Sequence, residues 1–130
     1  MKYKGSCLCG GVSIEVTGPI KHVMYCHCDM CRKAHGSSFA SFGLVSEDDF
    51  QISGTKNIRS YKSSANVTRT FCNVCGSNIE WSDHSEFNSG CRSFALGLLD
   101  TDFAPDSEEH IFVSSAPEWG RCSARIEEHS

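Results

Sequence analysis

Three cysteines in the run Cys26-His27-Cys28-Asp29-Met30-Cys31-Arg32-Lys33 constrain this chain more than any other feature. At the spacing C-x-C-x2-C, three sulfurs can wrap one soft divalent ion, and Zn²⁺ is the usual occupant of sulfur-rich tetrahedral sites. Structural zinc is closed by four protein ligands, whereas catalytic zinc keeps its fourth position for water or substrate. The character of the triad therefore turns on whether the chain supplies a further donor.

A second constellation is split between Cys7-Leu8-Cys9-Gly10-Gly11 and Cys72-Asn73-Val74-Cys75-Gly76. Side chains at i and i+2 of an extended segment share a face, so Cys7 and Cys9 can chelate together. In Cys72-x2-Cys75-Gly76 the glycine frees the backbone to turn and lets amide N–H groups approach the sulfurs. Cys7, Cys9, Cys72 and Cys75 thus read as a closed structural zinc site, stapling the first strand to the middle of the sheet. Cys91 and Cys122 belong to no chelating pair. Cys91 falls in an apolar segment, where a free cysteine is a small buried hydrophobe; Cys122, beside Arg121, reads as an incidental thiol. Either of them, or His27 or His35, stands as a candidate fourth ligand of the triad.

A length of 130 residues suits one domain spanning 1–130. Nine cysteines would suggest disulfides in a secreted chain, but the count is odd and the spacings are of metal type. The amino terminus runs into the first cysteine pair without a signal-peptide core, and no apolar run reaches membrane-spanning length, so a cytoplasmic protein without a membrane partner is expected. The formal charge is −4; seven thiolates would remove seven units and two zinc ions return four, leaving −7. That balance argues against a phosphate-tracking surface and hence against a nucleic-acid partner.

Alternation at Val12, Ile14 and Val16 predicts a half-buried strand ended by Gly18-Pro19. Further strands are expected over 21–25, 37–45, 58–62, 67–71, 79–81, 91–99 and 110–113, with a helical turn capped at Ser46 and an acidic loop over 100–109. The pattern is that of a mostly β, mostly antiparallel domain with short helical turns.

In order and separation, Gly5-Ser6-Cys7-Leu8-Cys9-Gly10-Gly11-Val12, Cys26-His27-Cys28-Asp29-Met30-Cys31-Arg32-Lys33-Ala34-His35-Gly36, Phe71-Cys72-Asn73-Val74-Cys75-Gly76-Ser77 and His110-Ile111-Phe112-Val113 carry a resemblance. The chain resembles the glutathione-dependent formaldehyde-activating enzymes, a family that includes centromere-protein-V-like domains. The resemblance implies a zinc-bearing β-tent fold. It also implies that Cys7, Cys9, Cys72 and Cys75 hold a structural zinc, that Cys26, Cys28 and Cys31 hold a catalytic one, and that the reaction joins formaldehyde to glutathione as S-(hydroxymethyl)glutathione. The segments 78–81 and 116–122 fit the family pattern only loosely.

Three function classes follow. A zinc carbon-sulfur lyase would act on a small thiol and an aldehyde, with Arg32 and Lys33 either attracting an anionic substrate or forming a solvated basic pair. A non-catalytic zinc module would bind a protein, and the low basic charge weakens its chromatin version. A thiol-redox enzyme would need Cys91 or Cys122 as an exposed nucleophile of low pKa, and no neighbouring motif indicates one.

Overall fold

In a computed structural model of the chain, which describes residues 2–83, 85 and 89–120, strand β1 (Tyr3–Ser6) pairs antiparallel with β2 (Ser13–Val16). The alternating residues Val12, Ile14 and Val16 point inward and are buried, as their period of two requires. The chain then passes through β3 (His22–Cys26) into a helix, α1 (Asp29–His35), and returns along β4 (Ala40–Ser46). Strand β5 (Phe50–Ser53) closes a three-stranded sheet in the order β1-β2-β5. Strands β6 (Ile58–Lys62), β7 (Thr68–Cys72), β8 (Asn78–Ser82), β9 (Cys91–Ala95) and β10 (Glu108–Ile111) complete a seven-stranded sheet, β10-β3-β4-β9-β8-β7-β6.

The two sheets share one apolar core. Val12, Ile14, Val16 and Phe50 from the small sheet cluster with Val45, Ile79, Phe94 and Ala95 from the large one, and Cys7 and Cys72 lie in the same cluster. Phe50 and Phe94 stack at 5.8 Å. Arg92 lies over the Phe50 ring and forks onto Glu80, with Nε to Oε2 at 2.6 Å and Nη2 to Oε1 at 2.5 Å. A second, smaller cluster holds Cys26, Cys31, Ala40 and Phe42, with Met24, Cys28, Trp81 and Ile111 packed around it. Each cysteine set is therefore built into its own apolar neighbourhood.

The mostly β architecture agrees with expectation; several local features differ from it, among them the strand expected over 91–99, which ends at Ala95 in a 3-10 turn, and the strand expected over 110–113, which ends at Ile111. The triad lies partly on a helix rather than in a bare turn: Cys28 caps α1 by accepting the Cys31 N–H on its own sulfur, and Gly36, at φ 60°, closes it by donating to the Arg32 carbonyl. The acidic stretch expected as loop contains the start of β10, which runs parallel to β3 from Glu108 opposite Val23 to Ile111 opposite Cys26. An edge strand tolerates such charge because its side chains find polar partners: Tyr25 donates to Glu108 at 2.7 Å, and His22 Nε2 lies 2.9 Å from Glu109. Lastly, Ser46 makes no side-chain cap to the 3-10 turn Glu47–Asp49.

Candidate metal centre

The four sulfurs of Cys7, Cys9, Cys72 and Cys75 lie within 4.8 Å of one another. Cys7 Sγ is 3.6 Å from Cys9 Sγ, which is 3.7 Å from Cys72 Sγ. Zn–S bonds of about 2.3 Å give a regular tetrahedron edges of about 3.8 Å, so this donor set fits a closed zinc site. The separations are far too long for a disulfide. Backbone and hydroxyl groups temper the sulfur charge: Val12 N–H points to Cys7 Sγ at 3.2 Å, Gly11 N–H to Cys9 Sγ at 3.4 Å, and Ser77 Oγ lies 3.3 Å from Cys75 Sγ. The Ser77 hydroxyl and backbone hold the Cys75 thiol down to about 5. A tight backbone contact supports the cluster: Gly54, at φ 82°, packs against the Gly11 carbonyl, where a side chain would collide.

The sulfurs of Cys26, Cys28 and Cys31 form the second group, also within 4.8 Å of one another, with Cys26 and Cys28 at 3.5 Å. Strand β3 delivers Cys26, and the first turn of α1 carries Cys28 and Cys31. Among the described residues no fourth Cys, His, Asp or Glu joins them at that spacing. Cys91 lies outside both groups, and Cys122 lies outside the described residues. His27 is turned toward His110, its Nε2 2.8 Å from His110 Nδ1, and His35 packs edge-on against Phe42. The donor set suits three-sulfur zinc with a position left for another ligand.

Arg69, on β7, is the residue that sequence reasoning missed. It is buried, with 5% of its surface exposed. Its Nη2 donates to Cys31 Sγ at 3.5 Å and its Nε to Ser63 Oγ at 3.0 Å. Three thiolates around one Zn²⁺ carry a net charge of about −1, and this guanidinium is the buried counter-charge. A hydrogen bond from Cys26, assisted by Arg69, holds the Cys31 thiol down to about 5 against its burial. The same bond and burial push Cys26 up. Arg69 also acts on His35, whose pKa burial and that charge lower to about 4.

Cys26, Cys28 and Cys31 line a cavity of about 430 Å³, a volume typical of small-molecule sites. Met24, Phe42, Val67, Trp81, Ile111 and Phe112 supply its walls. The basic pair behind the triad does not face it: Arg32 Nη2 pairs with Asp29 Oδ1 at 3.2 Å, and Lys33 lines a separate cavity.

Residues 2–115 match the family model described as glutathione-dependent formaldehyde-activating enzyme. The chain belongs to that family. The match covers every cysteine of both groups, so family membership and the two sulfur clusters concern the same part of the molecule. Among solved structures, a Rhodobacter sphaeroides protein determined by crystallography is 20% identical, with a TM-score of 0.61 over 81% of this chain and 97% of that one. At that identity the likeness shows a shared fold. No curated protein matches the sequence. No helix among the described residues is long and apolar enough to cross a membrane.

Proposed function

We propose that residues 1–130 work as a single zinc domain that catalyses reversible addition of a small thiol to an aldehyde, a carbon-sulfur lyase running in the condensing direction. In this reading Cys7, Cys9, Cys72 and Cys75 hold a structural ion, and Cys26, Cys28 and Cys31 hold the catalytic one. The family's formaldehyde and glutathione are the reference substrates, and aldehyde detoxification in the cytoplasm is the setting. The carrying observation is that the three-sulfur group lines a cavity without a fourth donor among the described residues, whereas the four-sulfur group is complete.

Zinc, when bound, supplies positive charge that keeps a thiol ionised near neutral pH and polarises a carbonyl. The chain's own residues do the rest. Cys26, Cys28 and Cys31 hold the sulfur-rich pole at one side of the cavity. Arg69, hydrogen-bonded to Cys31 Sγ, offsets the negative charge that gathers when a further thiolate arrives. The apolar walls keep water from competing with the thiol. The thiolate sulfur forms a bond to the carbonyl carbon, the π pair moves to oxygen, and that oxygen takes up the proton the thiol gave away, with no net oxidation.

The test is NMR exchange spectroscopy on zinc-loaded protein with formaldehyde and, in turn, glutathione and phenylmethanethiol. Wild type should accelerate exchange with at least one thiol, and Cys28→Ser should return it to the protein-free rate. Wild type no faster than buffer with either thiol overturns the proposal.

A further inference from the structure

A groove of about 600 Å³ adjoins the cavity of the triad, with Met30 and Arg69 in the walls of both. One side is the face of α1 that carries Met30, Lys33 and Ala34, residues three and four apart; the other is β6, with Ser60. Asn78, at the start of β8, ties the helix to the sheet by donating from Nδ2 to the Ala34 carbonyl at 3.2 Å.

The charge of this groove is one-sided. Among the described residues that line it, Lys33 and Arg69 are cationic and none is acidic, in a chain whose formal charge is −4. Arg32 is paired with Asp29 on its own helix, whereas no ion pair among the described residues engages Lys33. Arg69 is buried, and its Nη1 has no hydrogen-bond partner among the described residues. Ser63 Oγ accepts from Arg69 Nε, which leaves the Ser63 hydroxyl hydrogen free to donate, and Ser60 adds a second hydroxyl. Two cations and two hydroxyls around one cleft suit a carboxylate.

Arg69 also measures the distance between the two spaces. Its Nη2 lies 3.5 Å from Cys31 Sγ and its Nε 3.0 Å from Ser63 Oγ, so the rigid guanidinium sets those two atoms no more than about 9 Å apart. An extended peptide advances about 3.3–3.6 Å per residue, so a carboxylate two to three residue-lengths from a thiol sulfur spans that gap. A carboxylate within one residue of its sulfur does not.

We propose that this groove is the subsite for the distal carboxylate of the thiol, with Lys33 as its cation and Arg69 as the bridge to the triad. The proposal rests on the thiol and aldehyde reading above and adds a requirement on the thiol, a peptide-length body that ends in a carboxylate.

Zinc-loaded full-length protein should be titrated by calorimetry, without aldehyde, with glutathione, with glutathione whose two carboxylates are converted to amides, and with N-acetylcysteine. Amidation should weaken binding about three- to tenfold, the scale of a partly exposed ion pair reinforced by hydroxyl donors. Lys33→Glu, at an exposed position, should weaken glutathione by a similar factor and spare the amide and N-acetylcysteine, whose own carboxylate is too near its sulfur to reach the groove. Ser60→Asp, which puts a negative charge on the opposite wall, should repeat that pattern, so a folding defect peculiar to one variant cannot mimic it. The proposal is overturned if the amide binds as tightly as glutathione, if the variants weaken all three thiols alike or leave glutathione untouched, or if glutathione does not bind. Carboxylate-dependent binding without any acceleration of adduct exchange would sink the proposed reaction and leave the subsite standing; acceleration that ignores both the carboxylates and Lys33 would do the reverse.

Discussion

Arg69 reaches Cys31 from a distant strand: its Nη2 lies 3.5 Å from the Cys31 sulfur although 38 residues separate them in sequence. The contact joins the side of the large sheet that carries β7 to the helix that follows β3, four positions away in strand order. It makes the electrostatics of the triad depend on a residue outside the cysteine motif.

Replacing Arg69 with Met should weaken metal retention at the triad by roughly 10- to 100-fold, the range found when outer partners of metal ligands are removed. Chelator competition followed by metal analysis would resolve this, with one ion per chain lost early and the other held as in wild type. Arg69→Lys keeps the charge without the forked donor and should recover part of the loss. Equal retention in wild type and Arg69→Met would show that the guanidinium contributes nothing to the site.

The two sulfur groups should respond oppositely to loss of a ligand. Cys72 is fully buried in the main core, and Cys72→Ser should abolish folding by circular dichroism, because binding energy at a structural site is folding energy. Cys28→Ser should stay folded with one ion fewer per chain. A folded, fully loaded Cys72→Ser protein would mean that the structural and catalytic roles are reversed.

Gly54 and Gly10 share a left-handed backbone, at φ 82° and 80°, but differ in surroundings. A Cβ on Gly54 would collide with the Gly11 carbonyl, whereas one on Gly10 meets nothing within 4 Å. Gly10→Ala should cost about 1 kcal/mol from backbone preference alone. Gly54→Ala should cost about 2 kcal/mol more, since the backbone beside Cys9 must shift. Urea unfolding of the zinc-loaded variants measures the difference, and equal costs would refute the contact.

His35 sets a pH dependence. Burial, with the Arg69 charge second, lowers its pKa from 6.5 to about 4, so it is neutral in the folded protein. Between those values the unfolded chain binds the extra proton, and stability therefore falls as pH drops through that window. His35→Gln should flatten the decline. The comparison needs urea unfolding of both proteins at several pH values with saturating zinc, and an unchanged slope would rule out His35 as its source.

Much of this molecule is legible in its cysteines. The division into Cys7, Cys9, Cys72 and Cys75 against Cys26, Cys28 and Cys31 follows from chelating spacings, and the fold gathers the same two sets. Strand β2 announces itself by alternation. Arg69 does not, because a lone arginine in Thr68-Arg69-Thr70 looks solvent-facing until α1 packs over it. The cavity is equally hidden: its walls come from β3, α1, β4, β7, β8 and β9, the segments before β7 and after β8, and the end of β10, and only the folded sheet brings them together. Arg32, offered by the sequence either as a substrate lure or as half of a solvated basic pair, is drawn to Asp29 one helical turn away, a contact only the folded helix shows.

Strand β7 ends in Cys72 and carries Arg69 three residues earlier. One short strand thus holds a ligand of the closed cluster and the counter-charge of the open one. The guanidinium therefore reaches the triad along the same strand that the closed cluster anchors. If the closed cluster holds the structural ion, as proposed, losing that ion would free β7 and withdraw Arg69 from the triad, so damage at one cluster would be felt at the other.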